Sequence, residues 1–195
     1  MLLAPAADRC PPPPLVRAGE LCLPPGVVAE GARPVLGDVL VVAEHVRPAH
    51  RAAALALLLP HGHGVLVRAT AAWVWTGEAS LRPARADLAC PPSAPRVPGP
   101  RPAPGGTVLV VRRTRWSPGT SWCRVAGVAL TPPAATAAEC ARRLPQALAR
   151  RCLDALVREA GVDLAEVARL LEARARAPAP PGTADALRLV ASLAG

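Results

Sequence analysis

Two adjacent prolines, Pro132 and Pro133, lie within the stretch "VALTPPAATAAECAR", residues 128–142, and they constrain the fold more than any other feature of the chain. The valine-containing residues before them favour a buried strand, and the alanine-rich residues after them favour a helix. Proline fits the first turn of a helix, where its missing N–H would be unpaired in any case, and the Thr131 hydroxyl can cap that turn. The stretch therefore predicts a joint where a sheet ends and a helical region begins.

Before this joint, the sequence predicts a small sheet and a core helix. Residues 1–37 are rich in proline and glycine, which favours an irregular or partly ordered lead-in. A helix from Arg47 to Pro60 is apolar on nearly every side and should be central to the core. A strand that begins at residue 64 should turn helical near Thr70, whose hydroxyl can cap the new helix. Further strands are expected at 38–44, 84–90, 107–116, 121–125 and 127–130.

After the joint, the pattern is helical throughout. In the helix of about 145–160, apolar residues recur four apart, and the opposite face should pair Asp154 with Arg150 and Arg158. Asp163 should cap the next helix, which ends near residue 175, and a last helix is expected over about 183–194. The predicted fold class is therefore α+β: a small mixed sheet with an N-terminal core helix in residues 38–130, followed by a helical subdomain of about four helices in residues 131–195.

Every basic residue of the chain is an arginine. There are 23 basic residues, none of them lysine, and 14 acidic residues, which gives a formal net charge of +9. Residues 61–130 hold nine arginines and two acids, so the excess lies in the middle of the chain. This excess favours either a surface for an acidic partner such as a phosphate backbone or a solvated arginine-rich face.

Targeting signals are absent from the sequence. The longest apolar block, "AAALALLL" at residues 52–59, is far shorter than the roughly 18–20 residues of a membrane span. The N-terminus lacks the basic region and the long apolar run of a secretory signal. We therefore expect a cytoplasmic protein with no membrane partner.

Catalytic and metal-binding motifs are also absent. The sequence contains no P-loop, no G-x-G-x-x-G, no G-x-S-x-G and no H-E-x-x-H. The six cysteines form no C-x-x-C pair and read as small buried hydrophobic residues, while "HGHG" at residues 61–64 reads as a polar turn. Asp38 and Asp87 each adjoin a predicted strand and are the carboxylates that a catalytic interpretation would use. We expect no catalytic residue, no metal and no cofactor.

The best binding candidate is a basic cluster at the end of the strand predicted over residues 107–116. Arg112, Arg113 and Arg115 can contact phosphates, and Trp116 directly after them can stack or pack. In an extended strand, Arg113 and Arg115 share one face and Arg112 lies on the other. The three arginines are therefore predicted as a nucleic-acid contact that needs a twist or bulge to engage one flat ligand.

The order of these elements resembles the C-terminal domain of the actinobacterial AbiEi-type antitoxin and transcriptional-regulator family. The resemblance rests on "GVLVRATAAWVWTG", a strand near Asp87, "VLVVRRTRW", and the long stretch from "CRVAGVALTPPAATAAECAR" to "CLDALVREAGVDLAEV". It covers about residues 38–195 and is most specific over 127–158. It implies a regulator of type IV toxin-antitoxin systems that binds DNA such as its own promoter region, and a nucleotidyltransferase-like toxin on which it acts indirectly.

The chain departs from the family pattern at two places. Where the family's "TxPxRTxxDxAR" has arginine and aspartate, this chain has Ala135 and Glu139. Residues 1–37 stand where relatives carry a winged-helix DNA-binding unit, so we interpret them as a lead-in or a degenerate remnant of that unit. The favoured function is a non-enzymatic antitoxin-like or regulatory protein; the alternatives are a metal-dependent nuclease-related enzyme and an interaction module that has lost DNA binding.

Overall fold

The protein is an α+β structure with two small sheets and six α-helices in the part of the chain that the structure describes. The computed structural model describes residues 15–17, 31–58, 64–83, 85–90, 110–115, 121–175 and 181–194. The predicted fold class is therefore confirmed, including the mixed sheet, the N-terminal core helix and the four helices after the joint.

The first sheet has three antiparallel strands in the order β1-β3-β2. They are β1 (Leu15–Arg17), β2 (Ala32–Leu36) and β3 (Val39–Val42). Residues 15–17 and 32–36 are therefore ordered, which agrees with the partly ordered of the two alternatives expected for the lead-in. Pro34 is compatible with β2 because this strand lies at one end of the strand order, and the register shifts between Pro34 and Leu36.

The second sheet has five strands in the order β6-β5-β4-β8-β7. The pairs β5/β6 and β4/β8 are parallel, whereas β4/β5 and β7/β8 are antiparallel, so the sheet is mixed as predicted. The strands are β4 (Val65–Leu66), β5 (Arg85–Cys90), β6 (Val110–Arg115), β7 (Cys123–Val125) and β8 (Val128–Leu130).

Four of the six helices follow the two-proline joint. Gly77 and Gly161 end α2 and α4, each in the left-handed conformation. Asp163 caps α5 as predicted, because its carboxylate accepts from the Ala165 amide at 2.9 Å. The helices are α1 (Pro48–Leu58), α2 (Arg68–Thr76), α3 (Pro133–Arg143), α4 (Gln146–Ala160), α5 (Leu164–Ala175) and α6 (Thr183–Ala194), with a 3₁₀ turn at Ala79–Leu81.

One large hydrophobic cluster joins the sheets to the helices. Leu66, Leu88 and Leu130 enter it from neighbouring strands of the second sheet, Trp73 enters it from α2, and Leu153 from α4. A smaller cluster of Val65, Val67 and Ala89 is separate from it. The boundary at 130/131 stays a prediction, and the main cluster holds residues from both sides of it.

Both predicted threonine caps are wrong, for related reasons. Helix α2 begins two residues before Thr70, and the Thr70 hydroxyl instead accepts from the Asp87 amide of β5 at 3.0 Å. At α3 the capping position is Pro132, and the Thr131 hydroxyl instead lies 2.7 Å from the hydroxyl of Thr136. None of the described helices is long and apolar enough to cross a bilayer.

Candidate nucleic-acid interface

The predicted basic cluster lies on β6, which is the outermost strand of the five-stranded sheet at one end of its order. Its sequence "VVRRTR" begins with two β-branched residues and ends in the three arginines. Within the described residues β6 pairs with β5 alone, in parallel and without a register shift. The structure therefore brings Arg112, Arg113 and Arg115 together on one edge strand; Trp116 lies outside the described residues.

The register along β5 places the three arginines beside different neighbours. Arg113 pairs with Leu88 and Arg115 with Cys90, both of which are buried, whereas Arg112 pairs with the half-buried Asp87. The neighbours thus alternate with the period of two that is typical of a strand. Arg112 is thus the arginine of this cluster whose register partner on β5 is a charged residue.

The sequence around β6 contains no acidic residue over a long span. From residue 88 to residue 138 there is neither aspartate nor glutamate, and the arginines in that span are Arg96, Arg101, Arg112, Arg113, Arg115 and Arg124. Two strands of the second sheet that contain arginine, β6 and β7, lie in this span. A polyanion would meet little charge repulsion there.

At the opposite edge of the sheet, Trp122 and Arg124 form a second arginine-containing feature. The guanidinium carbon of Arg124 lies 5.5 Å from the centroid of the Trp122 ring, which is within the range of a cation–π contact. Arg124 also donates to the carbonyl of Gly127 at 2.8 Å. The sequence prediction missed this pair, although the W-x-R spacing in a strand is a signal that places both side chains on one face.

Asp38 and Asp87, the carboxylates that a catalytic interpretation would use, belong to different sheets. Asp38 lies in the turn between β2 and β3, with one carboxylate oxygen buried and without a hydrogen-bond partner among the described residues. Asp87 lies in β5 of the other sheet. Among the described residues, no group of three histidine, cysteine, aspartate or glutamate side chains could hold a metal ion.

Two of the four histidines lie in the described part of the chain. The Nδ1 atom of His50 accepts from the Arg47 amide at 3.0 Å, which satisfies a free amide at the start of α1. Burial, together with the charges of Arg47 and Arg51, lowers the pKa of His50. His45 is exposed on the bend before the helix, and the "HGHG" histidines His61 and His63 lie outside the described residues.

Among the described residues Arg51 is the least exposed arginine, and it contacts the end of α2. Only 6% of it is exposed, and its guanidinium donates to the carbonyls of Val74 at 2.7 Å, Val46 at 2.8 Å and Trp75 at 3.1 Å. Burial lowers the pKa of Arg51 to about 10, and Glu159 partly opposes that shift. The carbonyls at the negative end of a helix dipole stabilise the cation, so its role is structural.

A second buried charge cluster joins α3 to α5. One carboxylate oxygen of Glu139 accepts from Arg142 at 3.0 Å and from Arg174 at 2.5 Å. The backbone of Arg142 is also in close packing with Gly182, where an added Cβ would lie 2.6 Å from its carbonyl oxygen. Glu139 therefore forms two ion pairs, and the one with Arg174 links α3 to α5.

The two-proline joint is tied to the sheet and to α2 by polar contacts. The Thr131 amide donates to the carbonyl of Leu66 at 3.0 Å, and the Thr131 carbonyl accepts from the indole of Trp75 at 2.9 Å. The Thr131 and Thr136 hydroxyls lie 2.7 Å apart, and both side chains are buried. These bonds fix the direction in which α3 leaves the sheet.

The described cysteines agree with the prediction of small buried residues. Cys90, Cys140 and Cys152 are buried, and Cys123 is half-buried. Burial raises the pKa of Cys140 well above its usual range. A hydrogen bond with Cys140 lowers the pKa of Cys152, so the two buried thiols pack against each other, and Cys140, held protonated, is a poor nucleophile.

Arg51 and Glu139 could not be assigned roles from the sequence. Arg51 is a single arginine within an otherwise apolar helix, which indicates that its charge needs partners but does not identify them.

Comparison of the chain with protein-family models, with curated proteins and with solved structures gives no match.

Proposed function

We propose that the chain is a non-enzymatic regulator, antitoxin-like in the sense of the AbiEi-type family, that works in the cytoplasm by binding DNA. The observation that carries the proposal is the position of Arg112, Arg113 and Arg115 on an outermost strand of the sheet. An outermost strand can approach a phosphate backbone without a rearrangement of the core. Arginine is suited to this role because its planar guanidinium binds phosphate with two parallel hydrogen bonds.

The charge distribution supports the same proposal. The formal net charge is +9, and the acid-free span of residues 88–138 contains β6. The positive electrostatic potential of such a surface raises the rate at which a polyanion binds, and it contributes affinity that falls with added salt. Contacts to phosphate carry no sequence information, so recognition of a particular promoter would need further contacts to bases or to DNA shape.

The proposed biological setting follows from the resemblance. The AbiEi-type family implies a nucleotidyltransferase-like toxin on which the chain acts indirectly. We accordingly propose the promoter region of the chain's own gene as its DNA target. A gene for such a toxin beside the gene of this chain would support that setting.

The test is fluorescence anisotropy of the full chain with its own upstream duplex and with a scrambled duplex, across a salt series. The wild type should bind the native duplex more tightly, with an affinity that falls steeply with salt. A double variant, Arg112→Ala with Arg113→Ala, should bind more weakly and reduce the slope of log K against log salt by about 2.

A matched control removes two adjacent arginines elsewhere. Arg150 and Arg151 are both exposed on α4, so Arg150→Ala with Arg151→Ala lowers the net charge equally. If the control weakens binding as much as the β6 variant does, the effect is one of net charge and β6 is not the contact. Equal weak binding of both duplexes by the wild type, or no binding, would contradict the regulator and direct the search to a protein partner.

A further inference from the structure

The tryptophans that the structure describes differ in their burial and in their contacts. Trp73 is buried in the core, and Trp75 is half-buried with its indole N–H bonded to the Thr131 carbonyl. Trp122 is 40% exposed and precedes the edge strand β7. A chain with no tyrosine and no phenylalanine thus places one of its few aromatic rings at the surface.

The hairpin holds Trp122 and Arg124 in a defined arrangement. Ala126 and Gly127 form its two-residue turn with φ values of 48° and 79°, as in a type I′ turn. Arg124 lies two residues after Trp122, donates to the Gly127 carbonyl of that turn and places its guanidinium over the indole. The ring and the guanidinium are therefore pre-organised as two planar groups on one side of the strand.

The charge of Arg124 is not balanced locally. Among the described residues it forms no ion pair with a carboxylate, and the sequence within the acid-free span of 88–138 offers none nearby along the chain. An exposed aromatic ring beside an unbalanced cation favours an anionic partner that has planar groups. Nucleic acid combines both properties, because unpaired bases stack on aromatic rings and on guanidinium planes.

We propose that Trp122 and Arg124 form a stacking site for an unpaired nucleobase. The inference rests on the proposed function, since it requires that the chain binds nucleic acid, and it adds that the ligand contains single-stranded nucleotides. Bases inside a duplex cannot reach the indole, so the ligand has an overhang, a bulge or a fully single-stranded segment.

This site is separate from the arginines of β6. The two strands lie at opposite ends of a five-stranded order, so four inter-strand spacings, about 19 Å in all, separate them. A single nucleotide cannot contact both. Substitutions can therefore remove either contact alone, so a test of the stacking site leaves binding through β6 measurable.

The experiment measures binding of the full chain to a labelled single strand of about 15 thymidines and to a duplex of the same length, by anisotropy. Trp122→Ala should weaken binding to the single strand about tenfold or more and change duplex binding little, since stacking of one base is lost. Trp122→Phe should retain most of the affinity because phenylalanine still offers a ring face. Arg124→Ala should also weaken single-strand binding.

The matched control is Val42→Ala, which truncates an exposed apolar side chain on the other sheet and should leave both affinities unchanged. Far-UV circular dichroism of each variant reports whether the fold is kept. If Trp122→Ala binds the single strand as the wild type does while the β6 variant weakens duplex binding, the stacking site is overturned and the proposed function stands. If the wild type binds neither oligonucleotide, both are overturned.

Discussion

At the scale of single residues, Arg51 does more for the fold than its place in an apolar helix would indicate. Its guanidinium reaches carbonyls 23 and 24 residues along the chain, those of Val74 and Trp75. It is the side chain that binds α1 to the end of α2. Because its partners are backbone atoms, no pairing pattern in the sequence could have revealed them.

We predict that Arg51→Met lowers the free energy of unfolding by about 2–4 kcal/mol. The methionine fills most of the volume, but one buried and two partly buried carbonyls lose a charged donor. Urea denaturation followed by circular dichroism measures the change. Arg47→Met, at an exposed position next to the same helix, should have little effect, and equal stability of the two variants would contradict the assigned role.

At the scale of helices and strands, the ends of α2 and α4 have the same backbone but different surroundings. Gly77 has φ of 73° and Gly161 has φ of 63°. A Cβ on Gly77 would lie 2.6 Å from the Nη1 atom of Arg51, whereas nothing lies within 4 Å of a Cβ on Gly161. Alanine substitutions at these two glycines therefore distinguish the free-energy cost of backbone strain from the cost of displacing a neighbouring side chain.

We predict that Gly161→Ala costs about 1 kcal/mol, from the left-handed conformation alone. Gly77→Ala should cost more than that, because the alanine also displaces a guanidinium held by three hydrogen bonds. Thermal or urea unfolding of both variants gives the comparison. Equal losses would mean that Arg51 moves aside freely and contributes little at that helix end.

The sequence predicted most elements of the second sheet and all four helices after the joint because their signals are local. The helix end at Gly161, the cap at Asp163 and the valine-rich strands each depend on residues only a few positions away in the sequence. In the first sheet β3 was predicted over 38–44, but β1 and β2 were missed because the prolines and glycines around them obscure short strands that are stabilised by pairing with β3. Of the interface, the sequence predicted β6 and its arginines, but Trp122 and Arg124 came together only through the hairpin.

At the scale of the whole molecule, the helical part depends on one buried carboxylate. Glu139 faces two arginines, so the cluster with Arg142 and Arg174 has one cation in excess. The Nε atom of Arg142 is also buried without a partner among the described residues. Removal of the carboxylate would leave charges in the interior with no compensation.

We predict that Glu139→Gln lowers the free energy of unfolding by about 3–5 kcal/mol, as expected when one partner of a buried ion pair is lost. Hydrogen exchange should show the largest loss of amide protection in α5 and α6, which pack on α3. Glu172→Gln, at an exposed position of α5, is the control and should change little. Uniform loss across both sheets and all helices would contradict a local anchoring role.

The parallel pairing of β5 with β6 sets a limit on how far the chain between them can be shortened. A parallel neighbour must start at the same end of the sheet, so Cys90 and Val110, which the connection joins, lie at opposite ends of β5. Six residues of strand cover about 20 Å, and a crossover connection that spans this distance and reverses direction twice needs about a dozen residues or more. A loop-deletion series that keeps the fold should therefore stop abruptly near that length, whereas a tight two-residue turn of the kind that joins β7 to β8 can never replace this connection.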